Sequence, residues 1–199
     1  MKLILATNNQ NKLREIREML ASTGVSVISQ SEAGISCEVE ETGTTFAENA
    51  AIKAEAIWAI AAAGGLHCYV LADDSGLSVD ALNGEPGVYS HRWAGENASD
   101  ADRILKMLSV MKDVPDGQRG AHFACNMCLM EPNGAKHHFE GTVQGEILRE
   151  ARGTNGFGYD PVFGYGGRSF AELSADEKNE ISHRHNALMQ VLDFFRSVQ

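Results

Sequence analysis

No stretch of this chain approaches the run of ~20 apolar residues that a helix needs to cross a bilayer, so no membrane partner is expected. The apolar opening, Met1-Lys2-Leu3-Ile4-Leu5-Ala6-Thr7, is too short for a signal peptide and runs directly into Asn8-Asn9, which makes the cytoplasm the expected location. Positive charge is in deficit, with 17 Lys and Arg against 27 Asp and Glu and a formal net charge of −10. Such a surface is poorly suited to sequence-independent binding of a nucleic-acid polymer. A small anion can still bind, but only through local cations or a metal. Internal repeats and low-complexity linkers are also lacking. The 199 residues, 43% of them hydrophobic, therefore read as one domain over 1–199 with at most two lobes.

Cysteine is scarce. Cys125 and Cys128 form a C-x-x-C, but a redox C-x-x-C normally opens a helix and a zinc site needs two further ligands beside the pair. The surrounding residues, Ala121–Met130, read as a strand, on which positions three apart point to opposite faces. Buried structural thiols are the expected outcome.

The elements that are present alternate. Lys2–Ala6 reads as a central strand. A helix follows with Leu13, Ile16, Met19 and Leu20 at helical spacing, stopped by Gly24. Val25–Ser29 is a second strand, and this opening points to an α/β sheet. Thr45-Phe46-Ala47-Glu48 is a capping box that starts an alanine-rich helix running to about Ala63, closed by Gly64-Gly65. An apolar strand, Cys68–Ala72, is expected to stop at Asp73-Asp74-Ser75-Gly76. Ser99 and Asp100 cap a helix over about Ala101–Met111. Two long strands follow, His122–Met130 and Lys136–Arg149, joined by the turn Glu131–Gly134. Gly153–Gly167 reads as a glycine-rich loop. A capping box at Ser174 and Glu177 opens one final helix to about Ser197, with Ile181, Leu188, Leu192 and Phe195 on its apolar face.

Several segments carry groups with chemical potential, and each has a plainer reading. Two adjacent carboxylates, Asp73 and Asp74, at a strand end are costly unless solvated, paired or metal-bound. One can bind Mg²⁺ or activate water while the other fixes the loop, or the pair is an acidic turn. Glu40-Glu41-Thr42-Gly43 can add an oxygen ligand of the kind Mg²⁺ takes, or be a solvated loop. Thr7-Asn8-Asn9-Gln10-Asn11-Lys12 lacks the Walker glycine pattern. It still places a polar turn at the positive end of a helix, where anions bind, and Lys12 is unfavourable there without one. Lys53 lies one turn after Asn49 on the same helix face. In Gly153–Pro161, Phe157 and Tyr159 offer faces on which a base stacks, Gly156 and Gly158 allow close approach, and Asp160 is an acceptor; alternatively the aromatics are core. Lys178, Ser182, His183 and Arg184 fall early in the last helix. A donor-only guanidinium favours a 6-oxo over a 6-amino purine, whose amino group would meet another donor.

Taken together, the order of these segments closely resembles the inosine triphosphate pyrophosphatase family. The resemblance rests on Thr7, Asn9 and Lys12, on Glu40–Ala50 with Lys53, on Ala72–Leu77, on Pro86–Arg92, on Gly156–Pro161 and on Ser182–Arg184, and it covers nearly the whole chain. It implies a two-lobed α/β fold with an elongated mixed sheet flanked by helices and a nucleotide cleft between the lobes. It also implies a homodimer and Mg²⁺-dependent hydrolysis of dITP, ITP and XTP to the monophosphate and pyrophosphate. Thr7, Asn8, Asn9, Gln10, Asn11, Lys12 and Lys53 would lie near the triphosphate. Glu41 and Asp74 would hold Mg²⁺, with Asp74 as base, although the sequence leaves Glu40 or Glu41 open. Ser75, Phe157, Gly158, Tyr159, Asp160, Lys178, His183 and Arg184 would contact substrate. The competing readings are a related nucleotide pyrophosphatase with another base preference and a non-catalytic nucleotide sensor.

Overall fold

The computed structural model describes residues 1–198. Seven strands form one mixed sheet in the order β2-β1-β3-β4-β5-β6-β7. They are β1 Lys2–Leu5, β2 Ser26–Ser29, β3 Tyr69–Val79, β4 Gly120–Met130, β5 Lys136–Ile147, β6 Phe163–Tyr165 and β7 Arg168–Ser169. Strand β1 is parallel to both β2 and β3, with Leu3 opposite Val27 and Tyr69. The short β6 is antiparallel to both β5 and β7. The helices are α1 Gln10–Leu20, α2 Phe46–Ala63, α3 Asp100–Val110, α4 Ala175–Ile181 and α5 His183–Ser197. The α/β class expected from the sequence is the class observed.

The chain forms two compact units. One comprises Met1–Asp74, Cys125–Gly141 and the segment from His185 onward; the other comprises Ser75–Ala124 and Thr142–Arg184. In the first unit strand alternation divides the core in two. Leu3, Leu5, Leu71, Cys125, Met127 and Leu129 pack with Leu13, Ile16 and Leu20 of α1 and Leu188, Val191 and Phe195 of α5. Ile4, Ala6, Val70, Ala72, Cys128 and Met130 pack instead with Ala50, Ala54, Ile57 and Ala61 of α2. Cys125 and Cys128 thus lie in different clusters, and both are buried thiols outside any disulfide. Burial pushes the Cys128 thiol up to about 12. Thr45 caps α2, with its hydroxyl accepting from the Glu48 amide and Glu48 accepting from the Thr45 amide.

The second unit has one core, built from Leu77, Val79, Met107, Phe123, Tyr159, Phe163 and Phe170. The buried guanidinium of Arg119 organises its edge. It donates to the carbonyls of Ile147 (2.7 Å), Met111 (2.5 Å), Val114 (3.1 Å) and Leu148 (3.0 Å). Arg119 therefore satisfies carbonyls at the C-terminal end of α3 and beyond the end of β5. Arg119→Ala is expected to destabilise the protein by about 3 kcal/mol in urea unfolding, because four carbonyls, two of them in buried contacts, each lose a charged donor.

The structure departs from the sequence expectation at three elements. First, β3 does not stop at Asp73 but runs through Asp73-Asp74-Ser75-Gly76 to Val79. Each carboxylate finds a cation on its own face of the strand, so the acidic pair need not end it. Second, the last helix is two helices. Ser182, with φ −70° and ψ 155°, is extended and separates α4 from α5. Ile181 packs on the core of the second unit, whereas Leu188, Leu192 and Phe195 belong to that of the first, so they do not share one face. Third, Gly153–Gly167 is not wholly loop, since it contains a 3₁₀ turn at Asp160–Val162 and β6. A smaller difference lies at α3, where Ser99 is the cap and pairs reciprocally with Asp102, which leaves Asp100 for other work.

Candidate active site

In the first unit the chemistry gathers around β3. Adjacent strand residues face opposite ways, and Asp73 and Asp74 do so here. Asp73, 1% exposed, meets the Lys12 ammonium at 3.0 Å. Lys12 lies in the first turn of α1, where a cation opposes the helix dipole, and this ion pair offsets that cost. Asp74, 7% exposed, faces α2. Its Oδ2 accepts from Asn49 Nδ2 at 3.0 Å, and its Oδ1 lies 3.9 Å from Lys53 Nζ. Lys53 is 2.6 Å from Glu41 Oε1. Glu40 is exposed and Glu41 half-buried, so the carboxylate turned toward Asp74 and Lys53 is that of Glu41.

Asn49 holds this arrangement together. While its amide nitrogen serves Asp74, its oxygen accepts from the Gly43 amide at 2.8 Å, tying the acidic loop to the strand. A Cβ on Gly43 would lie 2.7 Å from that oxygen, so the close approach requires glycine. The sequence placed Asn49 on the face of Lys53 without revealing the bridge.

Electrostatics follow from the crowding. Burial pushes the Asp74 carboxyl above its usual range; Lys53 and Lys12 oppose this and Glu41 adds to it. Burial also works against the Lys53 ammonium, but Asp74, Asp73 and Glu41 outweigh it, so its pKa is raised and it stays charged. A carboxylate made more basic beside a fixed cation is suited to accept a proton from water.

The turn before α1 is prefolded. Thr7 Oγ1 accepts from the Asn9 amide at 3.1 Å, and Asn9 Oδ1 caps the helix by accepting from Asn11 (2.9 Å) and Lys12 (3.2 Å). Asn11 Oδ1 accepts from Arg14 at 3.3 Å. Asn8 and Gln10 are exposed.

The second unit gathers the other set. Arg184, 1% exposed, donates to Ser75 Oγ at 3.0 Å. Its guanidinium lies 6.0 Å from the centre of the Phe157 ring, and Lys178 Nζ lies 4.8 Å from the same centre. Lys178 also pairs with Asp160 Oδ2 at 2.6 Å, and that oxygen accepts from the Phe157 amide at 2.9 Å. Asp160 is thus the buckle of its loop. Gly156 has φ +74°, and a Cβ there would lie 2.0 Å from Asp160 Oδ2, so only glycine fits. Phe157 is half-buried, so part of it stays exposed. Tyr159 does not: it sits in the core, and its hydroxyl donates to the Ser90 carbonyl at 2.9 Å. Its expected stacking face is spent on packing. The His183 ring stacks on Phe123 at 4.9 Å between centres.

The site residues thus fall into two sets, a carboxylate–lysine set around Asp74 and an aromatic–cation set around Phe157. Among the described residues no group of three or more His, Cys, Asp or Glu is gathered at metal-binding distance. The oxygen donors near Lys53 are the two carboxylates Asp74 and Glu41. One or two carboxylates, completed by water and substrate phosphates, are what Mg²⁺ commonly takes, so the donor chemistry fits that ion.

Relatives share this chain over almost its whole length. The sequence profile of the Ham1 family matches residues 3–194. A dITP/XTP pyrophosphatase of Desulforamulus reducens is 48% identical over 195 residues, 97% of this chain and 94% of the relative. The solved Ham1 protein of Staphylococcus aureus superposes with a TM-score of 0.86 at 41% identity, covering 100% of both chains. That of Coxiella burnetii gives 0.86 at 44% identity over 99% of each. The motif order read from the sequence, the mixed α/β sheet and these full-length matches agree, and the chain belongs to the Ham1 family.

Proposed function

We propose that the protein hydrolyses the non-standard purine nucleoside triphosphates dITP, ITP and XTP to the monophosphate and pyrophosphate, removing them from the nucleotide pool. The observation that carries this reading is the Asp74 carboxylate, made basic by burial and held between Asn49 and Lys53 with Glu41 close by. The names of the relatives, which are dITP/XTP pyrophosphatases, supply the substrate class.

Asp74 and Glu41 would hold Mg²⁺, which supplies charge neutralisation for the phosphates. Asp74 takes the proton from the water that attacks the α-phosphorus, and pyrophosphate leaves. Lys12, Lys53 and the Thr7–Lys12 turn bind the phosphates and oppose the charge that develops on the leaving group. Positioning and charge neutralisation account for most of the rate. Asp73 keeps Lys12 in place. In the second unit Phe157 offers its ring to the base, with Lys178, His183 and Arg184 as donors and Ser75 steadying Arg184. Tyr159 and Asp160 hold the loop that carries Phe157. This division also explains how an acidic protein binds a polyanion, since cations are concentrated locally.

A homodimer in the cytoplasm completes the reading. The family resemblance supports the dimer, and no helix among the described residues is long and apolar enough to cross a membrane. Light scattering in solution tests the dimer.

The deciding assay measures products across dITP, XTP, dGTP, dATP and dTTP. The expected result is pyrophosphate release with dITP and XTP at least about tenfold faster than with dATP, the minimum expected where a donor meets an amino group. Comparable rates on dATP would sink the 6-oxo preference. Orthophosphate as the product would mean a phosphatase, and binding without turnover would mean a sensor.

A further inference from the structure

The loop Gly156–Asp160 is held at three consecutive residues by three different groups. Asp160 Oδ2 accepts from the Phe157 amide, Asp100 Oδ2 accepts from the Gly158 amide at 2.8 Å, and Tyr159 donates to Ser90. The first anchor belongs to the loop itself and the third to the core. Asp100 is neither. It lies 58 residues earlier, in the first turn of α3.

The helix does not need Asp100 for its cap. Ser99 already accepts from the Asp102 amide at 3.2 Å, and Asp102 accepts from the Ser99 amide at 2.8 Å. Asp102 also supplies a negative charge for the first turn. Asp100 instead turns one oxygen to Gly158 and the other to Arg103. Arg103 is itself fixed, donating to the carbonyls of His91 (2.8 Å) and Ala98 (2.7 Å). A buried guanidinium locked by two carbonyls thereby fixes the carboxylate rotamer. Burial works against the ionised Asp100, but the Gly158 amide and Arg103 outweigh it and hold the carboxyl below its usual range.

The bond falls on a glycine that no side chain packs against. Gly158 has φ +63°, and a Cβ there would meet nothing within 4 Å, so neither side-chain packing nor steric exclusion holds the residue. The neighbouring Phe157 ring lies against Lys178, with Nζ 4.8 Å from the ring centre. We infer that Asp100 is a positioning residue for the base-contacting loop: through the Gly158 amide it fixes the Phe157 ring against Lys178 and Arg184, and so sets the discrimination between bases. This inference rests on the reading of that loop as the base contact.

Two measurements on Asp100→Ala and Asp100→Asn, alongside the wild type, test it. By NMR hydrogen exchange, the Gly158 amide should exchange at least about tenfold faster in Asp100→Ala, the equivalent of one charge-assisted bond. Kinetically, KM for dITP should rise about tenfold with kcat within about twofold, and the dITP/dATP selectivity should fall. Asp100→Asn keeps an acceptor for the Gly158 amide but loses the charge toward Arg103, so its values should lie between the two. A variant with lowered Tm but unchanged KM and selectivity would show a role in helix stability alone and overturn the inference. Unchanged Gly158 exchange overturns it as well. If the wild type turns over none of the triphosphates, the functional reading fails, while the Gly158 exchange still decides whether Asp100 anchors the loop.

Discussion

Asp74→Asn is expected to abolish pyrophosphate release, by at least about 10³-fold, without loss of the fold. A general base alone contributes ~10²–10⁴-fold, and the same substitution weakens a carboxylate proposed to hold Mg²⁺. The fold should survive because the amide oxygen of an asparagine can still accept from Asn49 Nδ2. Stability should even improve. Burial raises the Asp74 pKa in the folded protein above its unfolded value of about 3.9. The folded state therefore binds more protons in the window between those two values, and stability falls as pH rises through it. At neutral pH the ionised group is a net cost that the variant lacks. In EDTA at pH 7 the variant should melt at or above the wild-type temperature, and the difference should vanish as the pH drops below about 4. Turnover within tenfold of wild type would refute the base assignment, whereas a collapsed fold would refute the account of its burial.

Lys53→Met should produce the second largest loss, about 10²–10³-fold in kcat/KM, the range seen when one preorganised donor is removed from a charge-stabilising site. Lys53 stands 2.6 Å from Glu41 and 3.9 Å from Asp74. Without it the two carboxylates lose their shared counter-ion, and the phosphates lose a nearby cation. Lys53→Arg should rescue poorly, since a planar guanidinium does not reproduce a compact ammonium between two carboxylates. The same crowding predicts a stability signature. Lys53→Met should be less stable than wild type in urea at pH 7, because the buried Asp74 carboxylate and the half-buried Glu41 lose a nearby cation. The deficit should shrink at acid pH as Asp74 takes up a proton. Kinetics at fixed free Mg²⁺ together with urea midpoints at two pH values check both parts; a variant with wild-type kcat/KM would remove Lys53 from the site.

These expectations draw unequally on sequence and structure. The capping box at Thr45 and Glu48, the hairpin turn at Glu131–Gly134 and the separation of Cys125 from Cys128 were legible because each follows from local chemistry or strand period. The continuation of β3 through Asp73 and Asp74 was not. An acidic pair followed by Ser-Gly looks locally like a turn, and only Lys12 on one face and Asn49 with Lys53 on the other make a strand tolerable there. The break at Ser182 was equally hidden, since the residues around it favour helix and the interruption reflects two separate cores claiming Ile181 and Leu188. Tyr159 was offered as a stacking face, but its hydroxyl and its packing place it inside.

By itself, then, the sequence determined the α/β class, the capped helices and the set of residue types that a phosphate-handling and base-reading enzyme needs, because propensity, period and spacing are local properties of the chain. Tertiary structure alone decided which groups meet. It turned Asp73 toward Lys12 and Asp74 toward Lys53, paired Glu41 with Lys53, made Asn49 a bridge and brought Asp100 to Gly158. Those pairings depend on strand faces and on contacts between residues up to 61 positions apart in the chain, as from Lys12 to Asp73, and no local rule encodes them.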